Sequence, residues 1–600
     1  MIHELVNLAE RIRKDEPNKN YIHDSLCKEK LDAYICISPD GDFQEILPVE
    51  REITIAEDLS QTENKGRTSN VLPRLIVDNE KYVLGLPEST RTKRCYASYL
   101  AKLESYKDIE GINSILKFYD NNNRNGLKVA RNKFLNSITM KEFKPGTNLS
   151  FLIRKKNGEA IAVHKENVVL NAIKLNYERR ELERKGSNQE KCSCCGSSKY
   201  RTRNLATHGT ISGVLPRNSL GNYLVSYEGD VYSSYSLEGN DNSLICTHCA
   251  KAYVEALNWL LTPSSWIPNE KKNKKPRPIF KNRKDISDDT VVVFWLRDSK
   301  ELSDIEQLDE PNEAAIRAMI DSIHSGKKTA AKNIDSDRFY AITLSGVAAR
   351  IAVRDWIEIS IENLQSNLVQ WFEDIQIGEY NKETKQIEVL FPRFKNLVMA
   401  LKKNKEKNSV QHGRVGAILW QCAVQGNSPP LWLLSSLLNR IKAEQGKVTS
   451  ERIILLKLYL NRKIKQQKGI KFMATLDESN KSTAYICGSI FAVLESIQYH
   501  ASGGNLNAGI RERFFSSAST TPSTAFGRLM KLSQHHLSKI RGENAGLAIN
   551  LDKKLKELFC NIEDSQFPSV FSLEDQASFA IGYYHQRQKD FENKPNIKEK

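Results

Sequence analysis

The chain has 600 residues, 40% of them hydrophobic, with 89 Lys plus Arg against 73 Asp plus Glu, a formal net charge of +16. That length is too great for one core and implies three or four packed units of ~100–200 residues; the apolar fraction excludes wholesale disorder. No run of ~18 apolar residues occurs, which excludes a membrane span, and the positive balance favours a polyanionic partner that gains affinity by counterion release.

The start, MIHELVNLAERIRKDEPNK, reads as a short amphipathic helix without an export-signal core. The expected compartment is therefore the cytoplasm, where metal binding or burial of the eleven cysteines outranks disulfides. Tyr34–Ser38 is a short apolar run ending at Pro39-Asp-Gly-Asp42, the pattern of strand, turn, strand. Leu72–Val77 and Tyr82–Leu86 read as a second strand-rich patch, and Lys93–Phe118 has helical spacing. Ala160–Val163 reads as a strand, followed by a charged helix over Glu166–Lys185. The chain turns helical again after Cys249. Residues 268–284, PNEKKNKKPRPIFKNRK, form a Pro-interrupted basic run, read either as a solvated linker or as a phosphate-contacting loop. Val291–Leu296 and Phe339–Leu344 read as strands, and from Val347 onward the pattern is mostly helical. Glu451–Lys463 is the most apolar segment, interrupted by Lys457. Ile486, Ile490, Val493, Leu494 and Ile497 repeat at helical spacing, as do faces in Phe526–Leu537 and Leu551–Phe559, so an antiparallel helical bundle is expected from Met473 to the end.

The sharpest chemical signal lies in residues 190–250. Cys192 and Cys195 form one Cys-x-x-Cys pair, and Cys246 and Cys249 form another. Two such turns aim four thiolates at one centre, the arrangement of structural zinc. Gly196 follows the first pair, where the turn wants positive φ; Cys194 and His248 are alternative ligands. Four protein ligands leave no open position for water, so the metal is a staple and not a catalyst. His208 lies between the pairs without an adjoining acid or second His, which disfavours a metal-dependent nuclease. No phosphate-binding Gly-rich loop, nucleophile elbow or His-Glu-x-x-His motif occurs. The adjacent pair His535-His536, beside Lys531 and Lys539, suits backbone contact or packing.

Two segments are placed for nucleic acid. Lys65, Arg67, Ser69 and Asn70 surround Gly66, combining phosphate neutralisation with donors for phosphates or base edges. Arg511 and Arg513 lie beside Phe514 and Phe515, and Arg528, Lys531, His535 and Lys539 follow at near-helical spacing. That composition suits a single strand, with arginine on the backbone and aromatics on the bases. In the competing reading the phenylalanines are core and the arginines pair with acids.

These last residues carry a resemblance. Ile490-Phe-Ala-Val-Leu-Glu-Ser-Ile-Gln498, Ile510-Arg-Glu-Arg-Phe-Phe515, Gln534-His-His-Leu-Ser-Lys539 and Phe579-Ala-Ile-Gly-Tyr-Tyr-His-Gln-Arg-Gln588 resemble the large subunit of the type I-C CRISPR surveillance complex, Cascade. Arg67-Thr-Ser69, Tyr82-Val-Leu-Gly85, Gly213-Val214 and Leu344-Ser345 extend the resemblance over nearly the whole chain. The family does not generally show both complete cysteine pairs, so the zinc site rests on the residues alone.

The resemblance implies a non-catalytic, RNA-guided DNA-binding subunit of an antiviral ribonucleoprotein. It sits with guide RNA, target DNA, and backbone and guide-processing subunits, and a helicase-nuclease is recruited in trans. Lys65, Arg67, Ser69 and Asn70 become candidates for the target-flanking motif (PAM), and Arg511, Arg513, Arg528, Lys531 and Lys539 for the displaced strand. The alternatives are a nuclease using the Cys/His insert and a protein-only scaffold. The expected fold is α+β and multidomain: a mixed region over 1–189, a zinc-stapled insert over 190–262, a mixed-to-helical middle over 263–472 and the bundle over 473–600. The family can make a separate small subunit by internal translation, and Met473 is the expected start.

Overall fold

The computed structural model describes residues 1–15, 23–59, 70–120, 126–139, 143–187, 189–203, 205, 208–216, 221–227, 229–233, 235–268, 276–287, 289–298, 303–325, 337–347, 350–402, 410–467, 471–504, 508–562 and 566–592. They divide into two compact units. The first comprises Met1–Lys281 with Gly346–Ala352, the second Asn282–Ser345 with Val353–Lys600.

The first unit opens with α1 (Ile2–Asp15), β1 (Leu26–Ile37), β2 (Phe43–Glu57), β3 (Asp78–Asn79), α2 (Glu80–Val83), α3 (Thr90–Glu104), α4 (Glu110–Tyr119) and α5 (Gly126–Thr139). It continues with β4 (Asn148–Arg154), β5 (Ala160–Ala162), α6 (Asn167–Lys185), α7 (Thr247–Leu261), β6 (Ser265–Ile267) and β7 (Arg277–Ile279). Its main sheet has the order β2-β1-β4-β3, with β5 on β4; β1 runs antiparallel to β2 and parallel to β4. The expected hairpin is present, closed by Ser38 N–H to Asp42 O at 2.9 Å with Gly41 at φ +84°.

A register shift between Leu31 and Ala33 acts as a β-bulge. It inverts the alternation of β1. Leu26, Ala33, Ile35 and Ile37 therefore share one core with Phe118, Phe134 and Phe151, while Leu31, Tyr34 and Cys36 share the other.

The reading of Tyr82–Leu86 as strand is overturned. Asn79 caps a helical turn, its side chain accepting from Lys81 N–H at 3.1 Å, and Tyr82 and Val83 belong to α2. Leu72–Val77 is irregular apart from a three-residue turn at Ile76. There Val77 N–H donates to Leu75 O at 2.9 Å with Ile76 at φ +70°. This is the strained positive-φ form of the γ-turn, on a β-branched residue. Tyr99 Oη donates to Ile76 O at 3.0 Å and holds it there.

The second unit comprises β8 (Arg283–Asp285), β9 (Thr290–Leu296), α8 (Glu313–His324), β10 (Arg338–Val347), β11 (Arg350–Ser360), α9 (Ile361–Ile375), β12 (Ile377–Asn381) and β13 (Gln386–Leu390). Helices α10 (Phe394–Val398), α11 (Val410–Gln425), α12 (Leu431–Ala443), α13 (Ser450–Gln467), α14 (Thr483–Ala501), α15 (Ile510–Thr520), α16 (Pro522–Glu543), α17 (Ala545–Cys560) and α18 (Leu573–Glu592) follow. The sheet order is β11-β10-β9-β8, and β12 pairs with β13. From Val347 onward the described chain is mostly helical, as expected, with the three strands β11, β12 and β13 among the helices. In β11 the exposed Arg350, Arg354 and Glu358 recur every fourth residue, a spacing that fits a helix face and a strand face equally.

Helices α14 and α18 cross closely because each supplies a glycine. A Cβ on Gly488 would meet the Phe579 carbonyl oxygen, and one on Gly582 the Tyr485 carbonyl oxygen. Two buried cations of this unit find partners within it. Arg462 lies 3.0 Å from Asp374 and donates to Cys422 O and Asn427 O, each at 2.6 Å; Lys457 donates to Gln376 O.

Gly488→Ala overpacks this crossing and should cost about 1–3 kcal/mol. Gly527→Ala, on α16 with nothing within 4 Å of its Cβ, should stabilise by up to about 1 kcal/mol. Chemical unfolding of both variants checks the pair, and equal effects contradict the packing account. A second expectation concerns His585, whose Nδ1 lies 3.0 Å from Tyr485 Oη. Burial, aided by Lys457, lowers its pKa from 6.5 to about 3. Between those values the unfolded chain binds a proton that the folded chain refuses. Stability is therefore lost as pH falls from 6.5 towards 3, by up to about 1.4 kcal/mol per unit. His585→Leu should flatten that slope, and an unchanged slope contradicts it.

Candidate metal centre and nucleic-acid surfaces

The Sγ atoms of Cys192, Cys195, Cys246 and Cys249 all lie within 4.8 Å of one another, with Cys195 and Cys246 3.9 Å apart. Zinc–sulfur bonds of ~2.3 Å in a tetrahedron require S···S separations of about 3.8 Å. The first knuckle closes through Gly196 N–H to Cys192 O at 2.9 Å, with Gly196 at φ +70°. Backbone N–H groups of Cys194 and Cys246 point at Cys192 Sγ, each at 3.3 Å. Ser193 N–H donates to Leu244 O at 2.9 Å and joins the two knuckles. Cys246 caps α7 and Cys249 lies in its first turn.

The electrostatics fit a cation. Hydrogen bonds from the Cys246 and Cys249 thiols draw Cys192 far below the ordinary thiol range. The same crowding against Cys192 pushes Cys246 and Cys249 up. A dication at the centre of the four sulfurs favours all four thiolates at once. Cys194 stands outside the group of four. His248 is engaged elsewhere: Nδ1 lies 2.6 Å from Asp24 Oδ2, and the ring stacks on Tyr200 at 4.9 Å.

An ion network unforeseen from the sequence surrounds α7. Arg13 of α1 meets Glu255 at 2.6 Å and Asp24 at 3.3 Å; Lys251 meets Asp58 at 2.7 Å and Asp24 O at 2.9 Å. Apart from Arg13 and Asp24, its partners lie more than 190 positions apart, so no local pattern announces it. His208 is buried with Nδ1 2.7 Å from Tyr253 Oη of α7, and burial lowers its pKa to about 4. The four cysteines are the one group found among the described residues that could hold a metal ion, and His208 is not in it.

Of the loop candidates, Lys65, Arg67 and Ser69 lie outside the described residues, and Asn70 is half-buried at the loop's exit. That exit is pinned at successive residues. Arg91 donates to Asn70 O at 3.5 Å, Leu72 N–H to Tyr82 Oη at 3.2 Å, Lys102 to Pro73 O at 2.8 Å, Arg74 N–H to Asp78 at 2.8 Å and Leu75 N–H to Glu57 at 2.9 Å. Glu57 is itself buried and paired with Lys102. The basic run 268–284 contributes β7, paired with β6, and Arg283 and Lys284, paired with Asp285 and Asp309 at 2.7 and 2.8 Å.

In α15 the two aromatics separate. Phe515 is core, packed on Phe491, Phe579 and Tyr583. Phe514 is half-buried beneath the Arg528 guanidinium, 5.4 Å from the ring centroid. Arg511 pairs with Glu512 and lies 4.0 Å from Glu495. Arg513, Arg528, Lys531, His535 and Lys539 are exposed, and α16 carries no acid before Glu543. Arg528, Lys531, His535 and Lys539 share one face of that helix.

The family model of the CRISPR-associated protein Cas_Csd1 matches residues 5–591. A search of the curated proteins returns no match. No helix among the described residues is long and apolar enough to cross a membrane.

The sulfur geometry leads to a direct expectation. Purified chain should carry about one metal ion, and Cys192→Ser with Cys249→Ser should lose it and loosen the docking of α7 onto α1. Elemental analysis and hydrogen exchange in residues 2–15 check this. A metal-free wild type with α7 equally protected contradicts it.

Proposed function

The chain belongs to the CRISPR-associated Csd1 family, the large subunits of type I-C systems, and on that premise we propose that it is the non-catalytic, DNA-reading subunit of a guide-RNA surveillance complex in antiviral defence. The observation that carries this reading is the family match across residues 5–591. In this reading base pairing with the guide reads the target, and the protein reads only the short flanking motif and holds the opened strand. Lys65, Arg67, Ser69 and Asn70 take the flanking duplex; support comes from the pinned exit of that loop, because direct readout requires base-edge donors held in fixed register. Arg513, Arg528, Lys531 and Lys539 take the displaced strand along the face of α16 that carries no acid before Glu543, with Phe514 as the adjoining aromatic. Arg511 serves the same strand while anchored by Glu512.

The four-cysteine centre holds zinc as a staple, its donor set filled and its role the seating of α7. Cleavage belongs to a helicase-nuclease recruited in trans. The residues from Met473 onward, α14 to α18, also form the separately translated small subunit.

Two outcomes check this reading. The guide-loaded complex should open a matched duplex without cutting it, and cutting should appear only when the helicase-nuclease is added. Arg513→Glu with Lys531→Glu and Lys539→Glu should leave flank recognition intact but raise the mobility of the displaced strand, seen as increased chemical reactivity of its thymines. Cleavage by the complex alone, or an unaltered displaced strand in the variant, contradicts it.

A further inference from the structure

The first unit carries a second cationic surface that the loop over residues 65–70 does not include. Helix α3 has no acid from Thr90 to Lys102, and α5 has none at all. On α3 the exposed cations are Arg91, Lys93 and Arg94; Lys102 is turned inward to Glu57. On α5, Lys128 and Lys133 are exposed. Arg131 joins the two helices. Its guanidinium lies 5.2 Å from the Tyr96 ring centroid of α3, and its Nε donates to Leu84 O at 2.6 Å. Arg91 reaches from α3 to Asn70 O at 3.5 Å, so the surface adjoins the exit of the loop.

Among the described residues no carboxylate pairs with Lys93, Arg94, Lys128 or Lys133, whereas the interior cations of the same unit are matched. A set of like charges on two adjacent helices destabilises the fold slightly unless a polyanion covers it. Lys133 Nζ lies 5.2 Å from the Phe43 ring centroid, a cation–π contact that leaves its charge unpaired by any acid, and the residue is exposed.

The chemistry of the surface distinguishes between strands. Exposed side chains of α3 and α5 include no aromatic among the described residues, and Tyr96 is covered by Arg131. A track for unpaired bases needs stacking platforms, as Phe514 offers beside α16. Exposed Asn132 and Asn136 supply neutral donors suited to phosphate and sugar.

We propose that Lys93, Arg94, Lys128 and Lys133, on α3 and α5, form a track for the phosphate backbone of the duplex that continues outward from the flanking motif. The inference rests on the flank-reading function proposed above and adds to it a sequence-independent grip on DNA beyond the motif. That grip sets affinity and its salt dependence, while the loop sets which motif is accepted.

The test uses the assembled, guide-loaded complex. Binding is measured over a range of salt for wild type and for Lys93→Ala, Arg94→Ala, Lys128→Ala and Lys133→Ala combined. Three targets are compared: one with a long flanking duplex, one whose duplex stops at the motif, and a single strand with no flank. The variant should bind the long-flank target on the order of 10- to 100-fold more weakly, with a salt slope smaller by about 3–4, one for each lost phosphate contact. Its ranking of flanking motifs and its affinity for the single strand should match wild type. The variant Lys93→Arg, Arg94→Lys, Lys128→Arg and Lys133→Arg keeps the charge and should restore the slope.

An unchanged slope on the long-flank target overturns the inference, as does an equal loss on all three targets. Reduced guide RNA content in the purified variant also overturns it, by assigning the surface to the guide. If wild type shows no dependence on the flanking motif, the flank-reading function itself fails, a result separable from the slope of the variant.

Discussion

Cys192 and Cys249 stand 57 positions apart in the chain, yet their sulfurs lie within 4.8 Å as part of one group of four. Little regular structure spans that interval: before α7 its described elements include two short 3-10 turns and the isolated pairings of Ile211 with Asn222 and Tyr223 with Arg350. A segment so poor in helix and strand lacks the backbone bonds that normally offset its conformational entropy. A metal held by four thiolates would supply free energy on the order of 10 kcal/mol. It would act at the N-terminus of α7, the helix whose Lys251, Glu255 and Tyr253 gather Asp58, Arg13 and His208.

A different constraint governs the second unit. There, apolar burial is continuous from β9 through α18, and the buried Arg452 and Arg462 are satisfied by carbonyls and by Glu444 and Asp374. The crossing of α14 and α18 depends on Gly488 and Gly582, since backbone meets backbone and no side chain fits. A rigid, apolar scaffold of this kind leaves its function to what it presents outward, and α16 presents cations with no acid before Glu543. Affinity for a polyanion then needs no pocket, only exposed charge in a fixed row.

Legibility in the sequence tracked the range of the interactions. The cysteine pairs and the turn at Pro39–Asp42 are local patterns, and both are as expected in the structure. Helix α6 was equally plain, since its buried residues recur every fourth position, and α14 was read from its apolar residues at helical spacing although Ala484–Leu494 is buried on every side. Tyr82–Leu86 was misread because an apolar run of five fits strand or helix, and the deciding feature is the Asn79 cap. Phe514 and Phe515 look alike in sequence; which of them is core depends on Phe491 and Phe579, far away in the chain. The network of Arg13, Asp24, Lys251 and Glu255, and the turn at Ile76 held by Tyr99, depend wholly on tertiary neighbours.

The account's central claim is that this chain reads the sequence flanking the target. It is tested most directly by binding of the assembled, guide-loaded complex to duplex targets with randomised flanking bases, comparing wild type with Arg67→Ala plus Asn70→Ala. The account predicts a marked flank preference in wild type that disappears in the variant, with binding to a pre-opened target retained. An identical flank preference in both proteins contradicts it and places the reader outside this loop.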